Sequence, residues 1–142
     1  DVYKVAEIFF CNVNEAKIIL HQDEANLTGL IENLHKLGPK IVVITDGQNG
    51  AYASDGNSIW QMPIYPDLAP PIDRTGAGDA FSSTFTAALA LGKTIPEALT
   101  WAPINSMSVV QKIGAQAGLL TRSELENYLA KATANYKLKK LR

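Results

Sequence analysis

The chain has 142 residues, 46% of them hydrophobic and 19% charged, with a formal net charge of −1. That balance suits one globular domain over 1–142 with its own core, and it excludes a global positive field that would recruit nucleic acid. A single cysteine, Cys11, excludes an internal disulfide and a cysteine-based zinc site, and no apolar run reaches the ~18 residues a membrane span needs.

No segment has the pattern of a signal peptide, so a reducing cytoplasm is the expected compartment. The sequence opens at Asp1 without a Met, directly before a strand-like run, which suggests part of a longer protein.

EIFFCN (7–12) is a short apolar run and predicts a buried strand. Glu15 to His21 reads as a short helix. Asp23 to Leu37 reads as a longer one. Leu27, Leu30, Ile31 and Leu34 share a face, Asp23 or Gln22 caps the start, and Gly38-Pro39 ends it. IVVIT (41–45) is β-branched throughout, as suits a strand covered on both faces. Strand, helix, strand over this length predicts a βαβ unit with parallel pairing.

AYAS (51–54) and SIWQM (58–62) flank Asp55-Gly56-Asn57 and predict a hairpin with a three-residue turn. Pro63, Pro66, Pro70 and Pro71 make 63–72 an extended connector. DRTGAGDAF (73–81) then leads into a helix that buries Phe81, Phe85, Ala88 and Leu89 and ends at Gly92. Thr94-x-x-Glu97 is a capping box. Behind it Ala98, Leu99, Ala102, Val109, Val110 and Ile113 recur at helical spacing to about Lys112, with Pro103 expected to kink the helix. A second capping box, Thr121-x-x-Glu124, opens a last helix with Leu125 and Leu129 inward. The basic tail KLKKLR (137–142) reads as a solvated or frayed helix end. His21 and His35 lack metal-ligand spacing and are expected on helix surfaces.

Three stretches carry candidate chemistry. In the first, Gly76, Ala77 and Gly78 run into a helix start with Asp79 in its first turn. Unpaired N–H groups and the helix dipole there favour an anion such as phosphate, while an acid at a helix N-terminus is also explained by stability alone. The second is Thr45-x-Gly47-x-x-Gly50, a glycine turn just after a strand, where open α/β sheets bind ligands. The third is Asn12-x-x-Glu15, also past a strand. It is either a magnesium-water site or an Asn-capped helix start. All three fall on one predicted edge of the sheet.

With these motifs in this order, the chain resembles the ribokinase-like (PfkB) carbohydrate kinases. DRTGAGDAF is similar to the family's D-T-x-G-A-G-D signature. Asn12-x-x-Glu15 is similar to its magnesium-associated motif, and Thr45-x-Gly47-x-x-Gly50 to its nucleotide-phosphate turn. The resemblance covers the later, nucleotide-binding part of such an enzyme. It implies a partial ribokinase-like three-layer α/β/α fold, with a mostly parallel sheet, a β-hairpin and C-terminal helices.

It also implies transfer of the ATP γ-phosphate to a hydroxyl of a small carbohydrate. Asp79 would accept the hydroxyl proton, and the N–H groups of Gly76, Ala77 and Gly78 would form the anion hole. Asn12 and Glu15 would act through water on Mg2+. Thr45, Gly47 and Gly50 would line the ATP phosphates, and adenine would lie between the turn after Thr45 and the helix segment from Pro103 to Val110. Asp73 and Thr75, with backbone near Val110 and Gly114, would match a monovalent-cation site in members that use K+. Arg74 stands where Thr is frequent, and is expected to point outward. Pro103 stands where many relatives have Asn or His near the adenine, so no side-chain hydrogen bond to the base carries over.

In this family the earlier residues supply most sugar contacts and the lid that excludes water, without which ATP is hydrolysed instead. The implied expectation is a chain that binds nucleotide yet is inactive alone, and that associates with itself through apolar surface where the remainder would pack. Two alternatives stay open: a non-catalytic nucleotide-binding module, and a related kinase acting on a nucleoside or vitamin alcohol.

Overall fold

The computed structural model describes residues 2–23 and 26–142. They form two compact units, one reaching Gln61 and including Lys139–Arg142, the other Met62–Leu138.

The first unit is built on a five-stranded sheet in the order β1 (Ile8–Asn12), β2 (Ile41–Thr45), β3 (Ala51–Ser54), β4 (Ile59–Met62), β5 (Lys139–Lys140). β1 and β2 pair in parallel, as the βαβ reading requires, with Asn12 and Thr45 as register partners at their carboxyl ends. β2 and β3 are antiparallel, and so are β4 and β5. The sheet is therefore mixed rather than mostly parallel. A tight turn joins β2 to β3, and only antiparallel neighbours can be joined so briefly.

Two helices link β1 to β2. The first, α1 (Val13–Leu20), starts two residues earlier than expected because Asn12 caps it. The second, α2 (Leu27–Leu37), is capped by Asn26, whose Oδ1 accepts from Gly29 N at 2.8 Å. The expected caps Asp23 and Gln22 are displaced from that role, and part of the expected helix start (24–25) lies outside the described residues. α2 fully buries Leu30, Ile31 and Leu34, which cluster with Cys11, Ala16, Val42, Ile44, Tyr52 and Ile59. Each buried aliphatic side chain contributes about 1.5–3 kcal/mol, which outweighs the modest helix propensity of the segment. Val43 between Val42 and Ile44 is also fully buried, so β2 is covered on both faces.

The hairpin loop is one residue longer than expected. Asp55 Oδ1 accepts from both Asn57 N (2.9 Å) and Ser58 N (2.7 Å), which takes Ser58 out of the ladder and starts β4 at Ile59. The tail is not a helix end. Lys139 and Lys140 pair with Gln61 and Trp60, and Ile59 exchanges backbone bonds with Leu141 and Arg142. His35 is half-buried: its Nδ1 lies 3.0 Å from Pro39 O and its Nε2 3.0 Å from Ser54 Oγ. A carbonyl only accepts, so Nδ1 donates to Pro39 O.

The second unit opens with an irregular stretch from Pro63 and then three helices, α3 (Ala77–Ala90), α4 (Ile95–Val109) and α5 (Arg122–Ala130). α3 packs on α4, and α4 on α5. Phe81, Phe85 and Ala88 are buried as expected, and the Thr94–Glu97 and Thr121–Glu124 capping boxes both form. Pro103 lies inside α4 and is buried. α4 stops at Val109, short of Lys112, so Ile113 is 80% exposed instead of inward. No helix among the described residues is long and apolar enough to cross a membrane.

Candidate functional site

In the first unit, two of the sequence motifs stand side by side. β1 and β2 end together, so Asn12 and Thr45 are neighbours and the segments that follow each leave the same edge. At Asn12 the chain turns into α1 through a reciprocal cap. Asn12 Oδ1 accepts from Glu15 N at 2.9 Å, and Glu15 Oε2 accepts from Asn12 N at 2.8 Å. The structural alternative is thus realised. Both side chains are nonetheless exposed, and a carboxylate with one such bond keeps acceptor capacity. Among the described residues no three His, Cys, Asp or Glu side chains assemble as a metal cage. Magnesium takes one or two carboxylates and keeps several waters, so the donor set at Asn12 and Glu15 fits that ion.

After Thr45 the chain makes a short 3-10 turn, Gly47–Asn49. Asp46 N donates to Gly50 O at 2.8 Å, and Gly50 N donates to Gly47 O at 3.2 Å. Asn49 Nδ2 adds a 3.0 Å bond to Asp46 Oδ2. Gly50 is buried and its amide is used inside the turn, so it shapes the loop. Gly47 is exposed, and a Cβ there would meet nothing within 4 Å. Of the two glycines, Gly47 is the one open to solvent.

Behind this edge Cys11 is buried. Desolvation, with the Glu15 charge adding to it, pushes its thiol up to about 12, which keeps it protonated and inert.

In the second unit, the glycine-rich stretch enters α3. Gly76 is the N-cap and sits in the left-handed region at φ 82°. A Cβ there would lie 2.6 Å from both Cα and Cβ of Ala115. Gly76 is therefore required by packing and by backbone conformation alike. Gly78 differs: its backbone is ordinary, and a Cβ would meet nothing within 4 Å. Neither packing nor conformation asks for glycine there, although glycine weakens a helix by about 1 kcal/mol relative to alanine. Ala77 begins α3, and Asp79 is exposed in its first turn. Open space at Gly78 leaves the backbone N–H groups of this helix start accessible, and such groups with the helix dipole favour an anion. The exposed Asp79 carboxylate beside them opposes that attraction and must be explained by another role.

Asp73 anchors the stretch from the other side. Its Oδ1 accepts from Thr75 N at 2.9 Å and its Oδ2 from Gly114 N at 3.1 Å. Those bonds, with one from the Thr75 hydroxyl, hold its carboxyl below the ordinary value. Ile72 N and Asp73 N both donate to Val110 O, at 2.8 and 3.3 Å. The structure thus brings Asp73, Thr75, Val110 and Gly114 together. Arg74 is exposed.

Reading the sequence alone missed the polar side chains of α4. Ser106 Oγ donates to Ala77 O at 2.9 Å, and Asn105 bonds Thr84 Oγ1 through Nδ2 (2.8 Å) and Leu120 N through Oδ1 (2.9 Å). The available signal was two consecutive polar residues, Asn105 and Ser106, within the apolar stretch Trp101–Met107 of the helix. Their partners lie far away in sequence.

Ribokinase from Bacillus subtilis is 40% identical over 94 residues, which cover 66% of this chain and 31% of that protein. Cytidine kinase from Thermococcus kodakarensis is 32% identical over 116 residues, 80% of this chain and 40% of its own length. The solved structure of Arabidopsis thaliana ribokinase complexed with ribose and ATP superimposes with a TM-score of 0.82 at 26% identity, over 90% of this chain and 42% of that one. The chain therefore spans less than half the length of these relatives. Residues 1–122 match the pfkB family carbohydrate kinase, and the chain belongs to that family.

Proposed function

We propose that the protein carrying this sequence is an ATP-dependent sugar kinase that transfers the γ-phosphoryl group to a hydroxyl of a small carbohydrate. The observation that carries this reading is the contrast at the start of α3. Gly76 is explained by Ala115, Gly78 is explained by no contact among the described residues, and Asp79 is exposed beside it. Family membership and the ATP and ribose named with the Arabidopsis ribokinase support the same reading.

The roles follow from the chemistry. Phosphoryl transfer passes through a loose transition state, so catalysis is mostly placement and charge stabilisation. The N–H groups of Gly76, Ala77 and Gly78 would offer donors to the equatorial oxygens, Ala77 N by exchanging its long 3.3 Å bond to Arg74 O for the ligand. The Asp79 carboxylate takes the acceptor hydroxyl's proton, which leaves late, so its placement matters more than its basicity. Thr45, Gly47 and Gly50 form the turn for the nucleotide phosphates, with Gly47 as the open approach. Asn12 and Glu15 would hold magnesium through water; when bound, that ion supplies charge neutralisation of the phosphates. Asp73 and Thr75, with Val110 and Gly114, would be the place for a monovalent cation such as potassium.

Sugar contacts and water exclusion belong to the longer protein in this reading, so the isolated chain turns over nothing. Exposed Leu68, Ile72 and Ile113 support its self-association. A cytosolic setting suits an enzyme that uses ATP.

The test is Asp79→Asn in the full-length protein. Turnover should fall by at least ~10²-fold, the lower range for a positioned acid-base group; turnover near that of the wild type removes the base assignment. The 32% identity to a cytidine kinase favours a second acceptor class, nucleosides. A screen of sugars and nucleosides with the full-length protein separates the two.

A further inference from the structure

Hydroxyls on the helices of the second unit mostly fold back on their own helix. Ser82, Ser83, Thr86 and Thr100 each donate to a carbonyl three or four residues earlier. Ser106 and Ser108 do not: Ser108 Oγ donates to Gly118 O at 2.7 Å, ten residues on, and Ser106 Oγ reaches out of α4 to Ala77 O, at 2.9 Å, across a sequence separation of 29.

That target carbonyl belongs to the first residue of α3. A carbonyl there already has the helix's own donor four residues on, so a second donor is not needed to satisfy it. The bond's effect is to fix position. It acts on the peptide unit that joins Ala77 to Gly78, two residues before Asp79. On the other side, the backbone of Ala115 closes over Gly76, and Gly114 N holds Asp73. Ser106 thus supplies the restraint on the helix side of a turn whose loop side is held by the 114–115 backbone. Gly78 and Asp79 remain exposed between these restraints.

We infer that Ser106 is a positioning residue for phosphoryl transfer: its hydroxyl, through Ala77 O, sets where the Gly76–Gly78 donors and the Asp79 carboxylate stand. This rests on the kinase reading above. A displacement of a fraction of an ångström in such donors is felt in the transition state more than in ground-state binding.

The experiment is steady-state kinetics of the full-length protein with ATP and its best acceptor, alongside thermal unfolding. Ser106→Ala should lower kcat about tenfold while KM for both substrates stays within about twofold, as for an interaction realised only in the transition state. Ser106→Thr, which keeps the hydroxyl, should restore most of kcat. Unchanged kcat in Ser106→Ala overturns the inference, and so does a loss that Ser106→Thr fails to restore, since packing alone would then explain it. Should Ser106→Ala not fold, Ser106→Cys serves in its place: it is nearly isosteric and a weak donor, and wild-type kcat in that variant overturns the inference. Asp79→Asn run in parallel separates the levels. If it abolishes turnover while Ser106→Ala does not slow it, the positioning role fails and the kinase reading stands. If Asp79→Asn leaves turnover intact, the kinase assignment of this turn fails first.

Discussion

Gly76 and Ala115 touch backbone to backbone: a Cβ built on Gly76 would lie 2.6 Å from Ala115 Cα and 2.9 Å from Ala115 O. No rotamer change relieves a clash with backbone, and φ at Gly76 is 82°, a region side-chain-bearing residues rarely adopt. Gly76→Ala should therefore cost about 2–4 kcal/mol, the sum of a left-handed penalty and overpacking. A shift of the urea midpoint by less than a few tenths of a molar would show that the contact is looser than described.

Gly78→Ala should do the reverse. The new methyl meets nothing, and alanine favours the helix by up to about 1 kcal/mol. The variant should be as stable as the wild type or more so, and its turnover should fall because the methyl occupies the approach to the backbone donors. Unfolding and turnover measured on one preparation decide it. A more stable variant with full activity would mean that no ligand comes near Gly78.

Asp73→Asn tests the anchor of the same turn. Bonds from Thr75 and Gly114 hold the folded-state pKa below the ordinary 3.8. A depressed carboxyl stabilises the fold above its unfolded pKa and loses that contribution as pH falls through the folded value. Asp73→Asn should thus have a lower urea midpoint than the wild type at neutral pH, and the gap should narrow as pH drops below 3.8. A gap that does not change with pH would show that the carboxylate charge is not what Thr75 and Gly114 hold.

At Asn12 and Glu15 two roles overlap and can be separated. Asn12→Ala removes the cap of α1 and should cost about 1 kcal/mol. Glu15→Gln keeps a side chain able to complete the capping box, so stability should change little. It removes the charge, so the magnesium concentration needed for half-maximal turnover in the full-length protein should rise several-fold. If Glu15→Gln leaves the magnesium requirement unchanged, the pair is a helix cap only.

Local signals in the sequence determined much of this molecule. The three capping boxes at Asn12, Thr94 and Thr121 form because each needs only residues three apart. The β-branched run IVVIT is a strand buried on both faces, as its composition requires. The order of the three motifs was also legible, because glycine turns and caps are written in consecutive residues.

The remainder depended on partners distant in the chain. The basic tail has no strand pattern of its own, yet Lys139 and Lys140 extend the sheet because the backbone of Ile59 offers an open donor and acceptor there. α2 begins at an asparagine cap that competed with two plausible neighbours, and burial of Leu30, Ile31 and Leu34 settled which turn of helix was kept. Gly76 and Gly78 look alike in sequence, and only the folded chain distinguishes them: Ala115 crowds one, and nothing crowds the other. Ser106 likewise gains meaning only when α4 packs on α3 and brings its hydroxyl to Ala77. Short-range hydrogen bonds and periodicity can be read from a string of residues; contacts across many residues exist only once the chain has closed on itself.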